Sequence, residues 1–173
     1  MRGSLVRWAA ALVVLQPGLA MAQWSLRLAI EAPLHTHVFL VNGPTTSTSI
    51  ADTFQPGVDL LGGYAVLDTL SIDLEFRTGL FATGSGYERT RTTIGPGLTF
   101  DVPTFPLYGR MAVPIQVESG VVVFLRLGGG LKITDLGFFR AYFELTVDLA
   151  LGGNGVKVGS HSVNAALGIW FRM

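Results

Sequence analysis

The chain has 173 residues, with 12 basic and 12 acidic residues, three histidines, 22 glycines and no cysteine. Its charged fraction of 14% lies well below the roughly 25% of a soluble domain, and its apolar fraction of 49% is too high for a disordered chain. The absence of cysteine excludes disulfides and cysteine-ligated zinc, and the balanced charge gives no basic surface for nucleic acid.

Residues 1–22 have the pattern of a cleaved signal peptide. A short positive segment precedes an apolar stretch at 8–15, and the small residues Ala20 and Ala22, on either side of Met21, precede the predicted cleavage point. The apolar stretch is too short to span a bilayer. We therefore expect export of the chain and a mature domain over residues 23–173.

The mature part alternates apolar and polar residues with a period of two, which is the pattern of strands with two different faces. Pro96 and Pro114 lie inside two of the alternating blocks and predict bulges or weak points, because proline cannot donate to a ladder. The pattern predicts eight strands, at 24–32, 54–66, 70–81, 90–102, 107–118, 121–132, 138–149 and 161–173.

The predicted connections also alternate, in length. Three are tight, and three are longer and rich in Gly, Ser, Thr and Asn; the short link at 119–120 departs from the rule. An even number of strands with short turns at one end and longer loops at the other is typical of a membrane barrel. The tight connections are 67–69, 103–106 and 133–137, and the longer ones are 33–53, 82–89 and 150–160.

Two kinds of barrel fit a two-faced pattern. In a lipocalin-like barrel the apolar face points inward and holds a ligand, whereas in an outer-membrane barrel it meets lipid and the polar face lines the lumen. The basic residues are mostly Arg, which suits bidentate pairing with carboxylates in a crowded lumen. Aromatic residues near strand ends, as in interfacial girdles, also favour the membrane barrel: Trp24, Phe54, Phe81, Phe100, Tyr108, Phe138, Phe139, Trp170 and Phe171.

The last predicted strand adds a sorting motif. Gly168, Phe171 and the terminal Met173 occupy the places of the C-terminal signal of bacterial outer-membrane barrels, although Met stands where Phe is usual. With the signal peptide and the strand count, residues 23–173 resemble the small eight-stranded family of OmpX and the membrane part of OmpA. The resemblance implies an antiparallel up-and-down transmembrane β-barrel in the outer membrane, with both termini in the periplasm. It also implies membrane lipids and the barrel-assembly machinery as partners.

The charged residues inside the predicted strands all fall on the polar face, eight basic and eight acidic. An eight-stranded lumen is just wide enough to be filled by side chains, and each buried charge needs a partner. We therefore predict a structural ion-pair network rather than a wide pore. Its predicted members are Arg27, Glu31, Asp73, Glu75, Arg77, Arg110, Arg126, Arg140, Glu144, Asp148 and Arg172.

Candidate catalytic and metal-binding residues are few. His35 and His37 put two imidazoles on one side of an extended segment, as a metal pair would, but no third ligand is evident. His161 invites comparison with the eight-stranded lipid A deacylases, yet Ser162 is adjacent to it, so the two face opposite sides and cannot act as base and nucleophile. We expect no cofactor.

These observations predict a non-enzymatic outer-membrane barrel with a structural or surface-interaction role through its loops and an unknown surface partner. Three alternatives remain open: a periplasmic or secreted lipocalin-like binding protein, a lipid A-modifying barrel enzyme, and a narrow channel.

Overall fold

Antiparallel β-strands account for most of the structure, which is a computed structural model. It describes residues 23–40, 45–49, 56–80, 92–117, 121–134, 136, 138–154 and 158–173, and of residues 38–40, 45–49, 154 and 158–160 only the backbone. The predicted signal peptide, Phe54, Phe81 and the whole of the predicted loop 82–89 lie outside these residues. Among the described residues, no helix is long and apolar enough to cross a bilayer.

Within the described ranges, ten strands follow one another. They are β1 (Trp24–Leu40), β2 (Thr45–Ser49), β3 (Gly57–Leu67), β4 (Leu70–Gly79), β5 (Thr93–Asp101), β6 (Leu107–Ala112), β7 (Ile115–Gln116), β8 (Val121–Lys132), β9 (Phe139–Asn154) and β10 (Val158–Arg172).

The strands close into an eight-stranded barrel, which confirms the predicted fold class. Most of them pair with the next strand along the chain, and β10 closes the ring by pairing with β1 along nearly its whole length. Two strand positions are divided. β6 and β7 together fill one position between β5 and β8, and β2 and β3 pair with successive parts of β1.

The two strand prolines have different effects. Pro114 separates β6 from β7, as predicted, and its carbonyl oxygen accepts the Phe124 N–H at 2.9 Å. Pro96 leaves β5 unbroken. It is exposed on the outer side, and its carbonyl accepts the Val113 N–H at 2.9 Å. The prediction of a weak point was therefore right at Pro114 and wrong at Pro96.

Two of the predicted loops are largely strand. β1 continues past residue 32 to Leu40, and the link between β9 and β10 is only 155–157 rather than 150–160. A bulge in β1 between Pro33 and His35 explains the first error, because one extra residue shifts the alternation and hides the strand. The second segment is rich in glycine, but its backbone pairs with β8.

The barrel has two distinct ends. The end that holds Gln23 and Met173, here the terminal end, carries the turn at 68–69 and the connections at 102–106 and 133–138. The opposite end, here the loop end, carries the connections that follow β2, β4, β7 and β9. The three connections predicted to be tight therefore all lie at the terminal end, but the loop end carries the short link 155–157 as well as the long connection 80–92.

The faces of the barrel separate by polarity. In β4 the carboxylates and guanidinium of Asp73, Glu75 and Arg77 are buried in the lumen, whereas Ile72 and Leu74 between them are more than half exposed on the outside. The other long strands also turn most of their large apolar side chains outward, and β10 presents Ser162 and Asn164 to the lumen in place of charges. A lipocalin-like arrangement, with the apolar face inward, is therefore wrong for the described strands.

Candidate functional site

The lumen contains a dense network of buried charges centred on Arg126 and Arg110. Arg126 binds Asp148 through two nitrogens, with Nε at 2.6 Å from Oδ1 and Nη2 at 2.8 Å from Oδ2. It also contacts Glu75, and its Nη1 lies 3.5 Å from Glu31 Oε2. One guanidinium thus binds carboxylates from three strands, which is the fork geometry that favours Arg over Lys.

Arg110 makes a second centre nearer the terminal end. Its Nη1 lies 3.0 Å from Glu144 Oε1 and 3.4 Å from Asp59 Oδ2, and its Nη2 binds Glu75. Because Glu75 contacts both Arg110 and Arg126, the two centres form one network across the barrel. Arg77 extends it towards the loop end, with Nη1 3.0 Å from Glu31 Oε1 and 3.5 Å from Asp148 Oδ2.

The buried part of this network carries more negative than positive charge. Among the described residues, four arginines and six carboxylates are buried, and neutral donors serve the carboxylates. Thr99 donates to Asp73, Tyr108 to Glu144 at 2.7 Å, and Asn164 Nδ2 to Asp148 at 3.3 Å. Hydroxyl and amide donors therefore stabilise negative charge that the arginines do not match.

The terminal mouth of the lumen has the opposite imbalance. Asp101 accepts from Lys132 Nζ and from Arg172 Nη2, both at 2.8 Å, and Arg140 lies close by. These cations surround the indole of Trp170: Lys132 Nζ is 5.5 Å, Arg172 Cζ 5.4 Å and Arg140 Cζ 5.8 Å from a ring centroid. A π-face attracts cations, so the indole partly offsets the positive surplus.

Aromatic side chains close the lumen between the mouth and the buried network. Arg27 Cζ lies 3.8 Å from a centroid of Trp170, and Tyr108 packs edge-on against Trp170 and Tyr142, with centroids 5.7 and 6.0 Å apart. All three aromatic residues are buried. Tyr108 and Trp170 therefore line the lumen rather than the outer girdle that we predicted. Each has the lumen-facing position in the alternation of its strand. This position, rather than closeness to the strand end, determines the direction of the side chain.

The structure divides the predicted network into two groups. Nine of its members are buried in the lumen: Arg27, Glu31, Asp73, Glu75, Arg77, Arg110, Arg126, Glu144 and Asp148. Arg140 and Arg172 instead lie half-buried at the terminal mouth. The prediction omitted Asp59, which contacts Arg110, and the neutral donors Thr99 and Asn164. Each of these residues has the lumen-facing position in the alternation of its strand, and this was the sequence signal that could have identified it.

The residues of the predicted sorting motif lie at the terminal end of β10. Gly168 is buried, and a Cβ built there would come within 2.5 Å of the Leu28 carbonyl oxygen and 2.7 Å of Tyr142 Cζ. Glycine at this place makes room for an inward aromatic ring. Phe171 faces outward against Phe139, with centroids 5.7 Å apart, and Met173 is exposed.

The histidines lie on the outside of the barrel, away from the network. His37 on β1 is directly opposite His161 on β10, and His35 is exposed. Ser162 faces inward, where its hydroxyl lies 3.5 Å from Asp148 Oδ2, so His161 and Ser162 do not form a catalytic pair. Within the described ranges, no group of three or more His, Cys, Asp or Glu residues is arranged to hold a metal ion.

The comparisons with known proteins identify the fold. No known protein family matches the chain, and no curated protein does. Among solved structures, the chain is similar to Neisserial surface protein A, with a TM-score of 0.55 and 11% identity over 87% of this chain and 97% of that one. It is also similar to Ail, the attachment invasion locus protein of Yersinia pestis, in complex with the heparin analogue sucrose octasulfate. There the TM-score is 0.53 and the identity 13%, over 88% and 99% of the chains.

Proposed function

We propose that the chain is an integral outer-membrane β-barrel protein of a Gram-negative-type envelope, with no catalytic activity, whose loop end engages a partner at the cell surface. The observation that carries the proposal is the inverted polarity of the barrel. Large apolar side chains such as Leu74, Ile30 and Leu167 are 57–62% exposed on the outside, while the charges fill the inside. Such a surface requires lipid around it.

The filled lumen supports a structural role for the charged residues. Trp170, Tyr108 and Tyr142 occlude the terminal end, and Phe124, which faces inward from β8, is also buried. Because the arginines and carboxylates hold one another at salt-bridge distance, a solute would have to break the network to pass. Planar-bilayer recordings are expected to show no discrete conductance, and regular single-channel steps would contradict the structural role.

The likeness to Ail raises the question of a sulfated ligand, because that protein was solved with a heparin analogue. In this chain the segments between the strands at the loop end carry Arg89, Arg91 and Lys157, but also Asp52, Glu88 and Glu118. This balance does not favour a polyanion. We therefore propose a surface partner recognised by uncharged polar loops rich in Gly, Ser and Thr.

A gel assay tests the proposal. The full-length chain is expressed in a Gram-negative host, the membranes are fractionated, and each fraction is run on SDS gels with and without boiling. We expect the protein in the outer-membrane fraction, with a heat-dependent shift in mobility as the closed barrel unfolds. A soluble periplasmic protein without a shift would contradict the proposal.

The enzyme alternative has a separate test. His35, His37 and His161 are replaced together by Ala, and lipid A from cells that express either form is analysed by mass spectrometry. We expect identical lipid A, because His161 and Ser162 face opposite sides of β10. A lipid A change that depends on the histidines would revive the enzyme hypothesis.

A further inference from the structure

The three histidines of the chain converge on one patch of the outer surface. His37 and His161 are direct partners across the seam between β1 and β10, and His35 lies opposite Val163. Side chains directly opposite in an antiparallel pair have Cβ atoms about 5 Å apart, and diagonal neighbours about 7 Å. One small ligand can therefore reach all three rings.

The imidazoles face away from the lumen. Thr36 and Ser162 are buried inside, and successive side chains of a strand point to opposite faces, so His37 and His161 point outward. The bulge at Pro33 and His35 brings His35 to the same side, where it is exposed. Leu34 is the extra residue, so His35 and Thr36 continue the alternation directly from the buried Pro33.

The patch lies at the height of the outer lipid headgroups, given the proposed membrane position. From the exposed Trp24 at the terminal end, β1 rises to His35 over eleven residue steps. A strand tilted by about 40° rises about 2.5 Å per residue, which gives about 27 Å. The apolar band of an outer-membrane barrel is about 25 Å tall. The rings therefore reach just beyond the acyl chains.

The surroundings of the patch are uncharged. Among the residues whose side chains the structure describes, the outward faces of β1, β9 and β10 carry no carboxylate, ammonium or guanidinium group. The other neighbour of the patch is β2, which pairs Ser49 with His35 and has no charged residue in its sequence. Leu149 is the partner of His161 on β9. Asp148, the nearest carboxylate along β9, faces into the lumen and binds Arg126 there. On the described outward faces of these strands, an anion at the patch thus meets imidazoles without a competing carboxylate.

A backbone hydrogen bond makes His161 a donor rather than a metal ligand. The Ala150 N–H donates to His161 Nδ1 at 3.2 Å. With its Nδ1 lone pair used in this way, the neutral ring carries its proton on Nε2 and presents an N–H. A metal would need a nitrogen lone pair. The rings of His35 and His37 each carry a further N–H donor.

We propose that His35, His37 and His161 form a binding site for the phosphate group of an anionic lipid in the surrounding outer leaflet. This proposal rests on the proposed membrane location, and it commits to lipid-borne rather than free phosphate. Acyl chains of such a lipid lie along the apolar outer face of β1 and β10, which places the phosphate beside the rings.

Native mass spectrometry of the folded full-length protein in detergent tests the site. The probes are lipid A with its phosphates, the same lipid after dephosphorylation, and inorganic phosphate. We expect the phosphorylated lipid to be bound in preference to the dephosphorylated one, because the imidazoles donate N–H groups to its phosphate. The triple variant His35→Ala, His37→Ala, His161→Ala should lose that preference.

Controls separate a lost site from a lost fold. Thr78→Ala removes an outward-facing polar side chain on β4, away from the patch, and should bind lipid as the unaltered protein does. Each variant is checked for the heat-dependent gel shift, and His35→Ala alone, at an exposed position, serves if the triple variant does not fold. Equal lipid preference in the unaltered and histidine variants would overturn the proposal, as would equal binding of inorganic phosphate without lipid. Failure of the membrane location would appear separately, as a soluble protein without a gel shift.

Discussion

Individual charged residues in the lumen differ in their burial and in the number of carboxylates that they bind. Arg126 is fully buried and contacts carboxylates of Glu31, Glu75 and Asp148. The side chain of Arg172 is 31% exposed and pairs with Asp101. A buried charge that loses its partner cannot be rescued by water, whereas a half-exposed one can. The two arginines therefore form a matched pair for mutagenesis.

Arg126→Met is expected to lower the free energy of unfolding by about 3–5 kcal/mol, because it leaves buried carboxylates without their guanidinium. Arg172→Gln is expected to cost less than about 1 kcal/mol. Urea unfolding of each variant in lipid vesicles, followed by tryptophan fluorescence, measures both. Equal losses would show that burial of the pair does not determine its contribution.

Glycines give a second contrast at this scale. A Cβ at Gly168 would collide with the Leu28 carbonyl and the Tyr142 ring, whereas a Cβ at Gly109 meets nothing within 4 Å. Gly168→Ala is expected to destabilise the barrel by about 1–3 kcal/mol through overpacking, and Gly109→Ala to change it by about 0.5 kcal/mol or less. The same unfolding assay compares them. A neutral Gly168→Ala would show that Tyr142 moves freely.

At the scale of the strands, the bulge in β1 sets which side chains face outward beyond Pro33. The bulge is one residue, Leu34, with no partner on β10. Its removal would restore simple alternation and keep Thr36 inside. A deletion within the regular part of the strand has the opposite effect, because a one-residue slip moves every following side chain to the other face.

Deletion of Leu34 is therefore expected to leave a folded barrel with a heat-dependent gel shift. Deletion of Ala29 is expected to abolish the shift, since the strand on one side of the gap must turn charged residues such as Glu31 or Arg27 outward. Refolding of both variants into detergent micelles, followed by gels with and without boiling, decides the matter. A folded Ala29 deletion would contradict the assigned faces.

The alternation of apolar and polar residues was sufficient to predict which face of most strands points inward. The errors, in β1 and at Trp170, have identifiable causes. In β4 the charges at Asp73, Glu75 and Arg77 recur at every second residue, so the inward face follows from local sequence. In β1 the bulge breaks the period, and the strand beyond it looked like a loop. Trp170 was assigned to a girdle from its place near the strand end, although its parity matches the buried Gly168.

Along the whole molecule, charge is segregated in a way that alternation does not reveal. The total charge of the described lumen is balanced, but the buried segment has a surplus of carboxylates and the terminal mouth a surplus of cations. Which charge stands at which height depends on the register between strands that are far apart in sequence. The position of a residue in the alternation determines whether its side chain faces the lumen or the outside. Its depth along the barrel axis is determined only by the register of the paired strands.

Closure of the barrel also predicts where the chain can be opened. The N–H of Met173 donates to the Trp24 carbonyl at 2.9 Å, so residues 23 and 173 lie close together. A circular permutant that joins them by a short Gly-Ser linker and begins at Gly86, between β4 and β5, is expected to refold in detergent with an unaltered gel shift. A permutant opened at Arg126, inside β8, serves as the control and is expected not to refold. Failure of the first would contradict the adjacency of the ends.

The seam between β1 and β10 has a consequence for the order of events during assembly. The first strand has no partner on one side until the last strand of the barrel has been made, and loop-closure entropy is greatest for such distant pairing. Until then two unpaired edges remain, and such edges are templates for aggregation. A newly synthesised chain of this kind therefore has no partly assembled form that is protected from aggregation. We expect it to be kept unfolded after synthesis and to close the barrel in a single cooperative step.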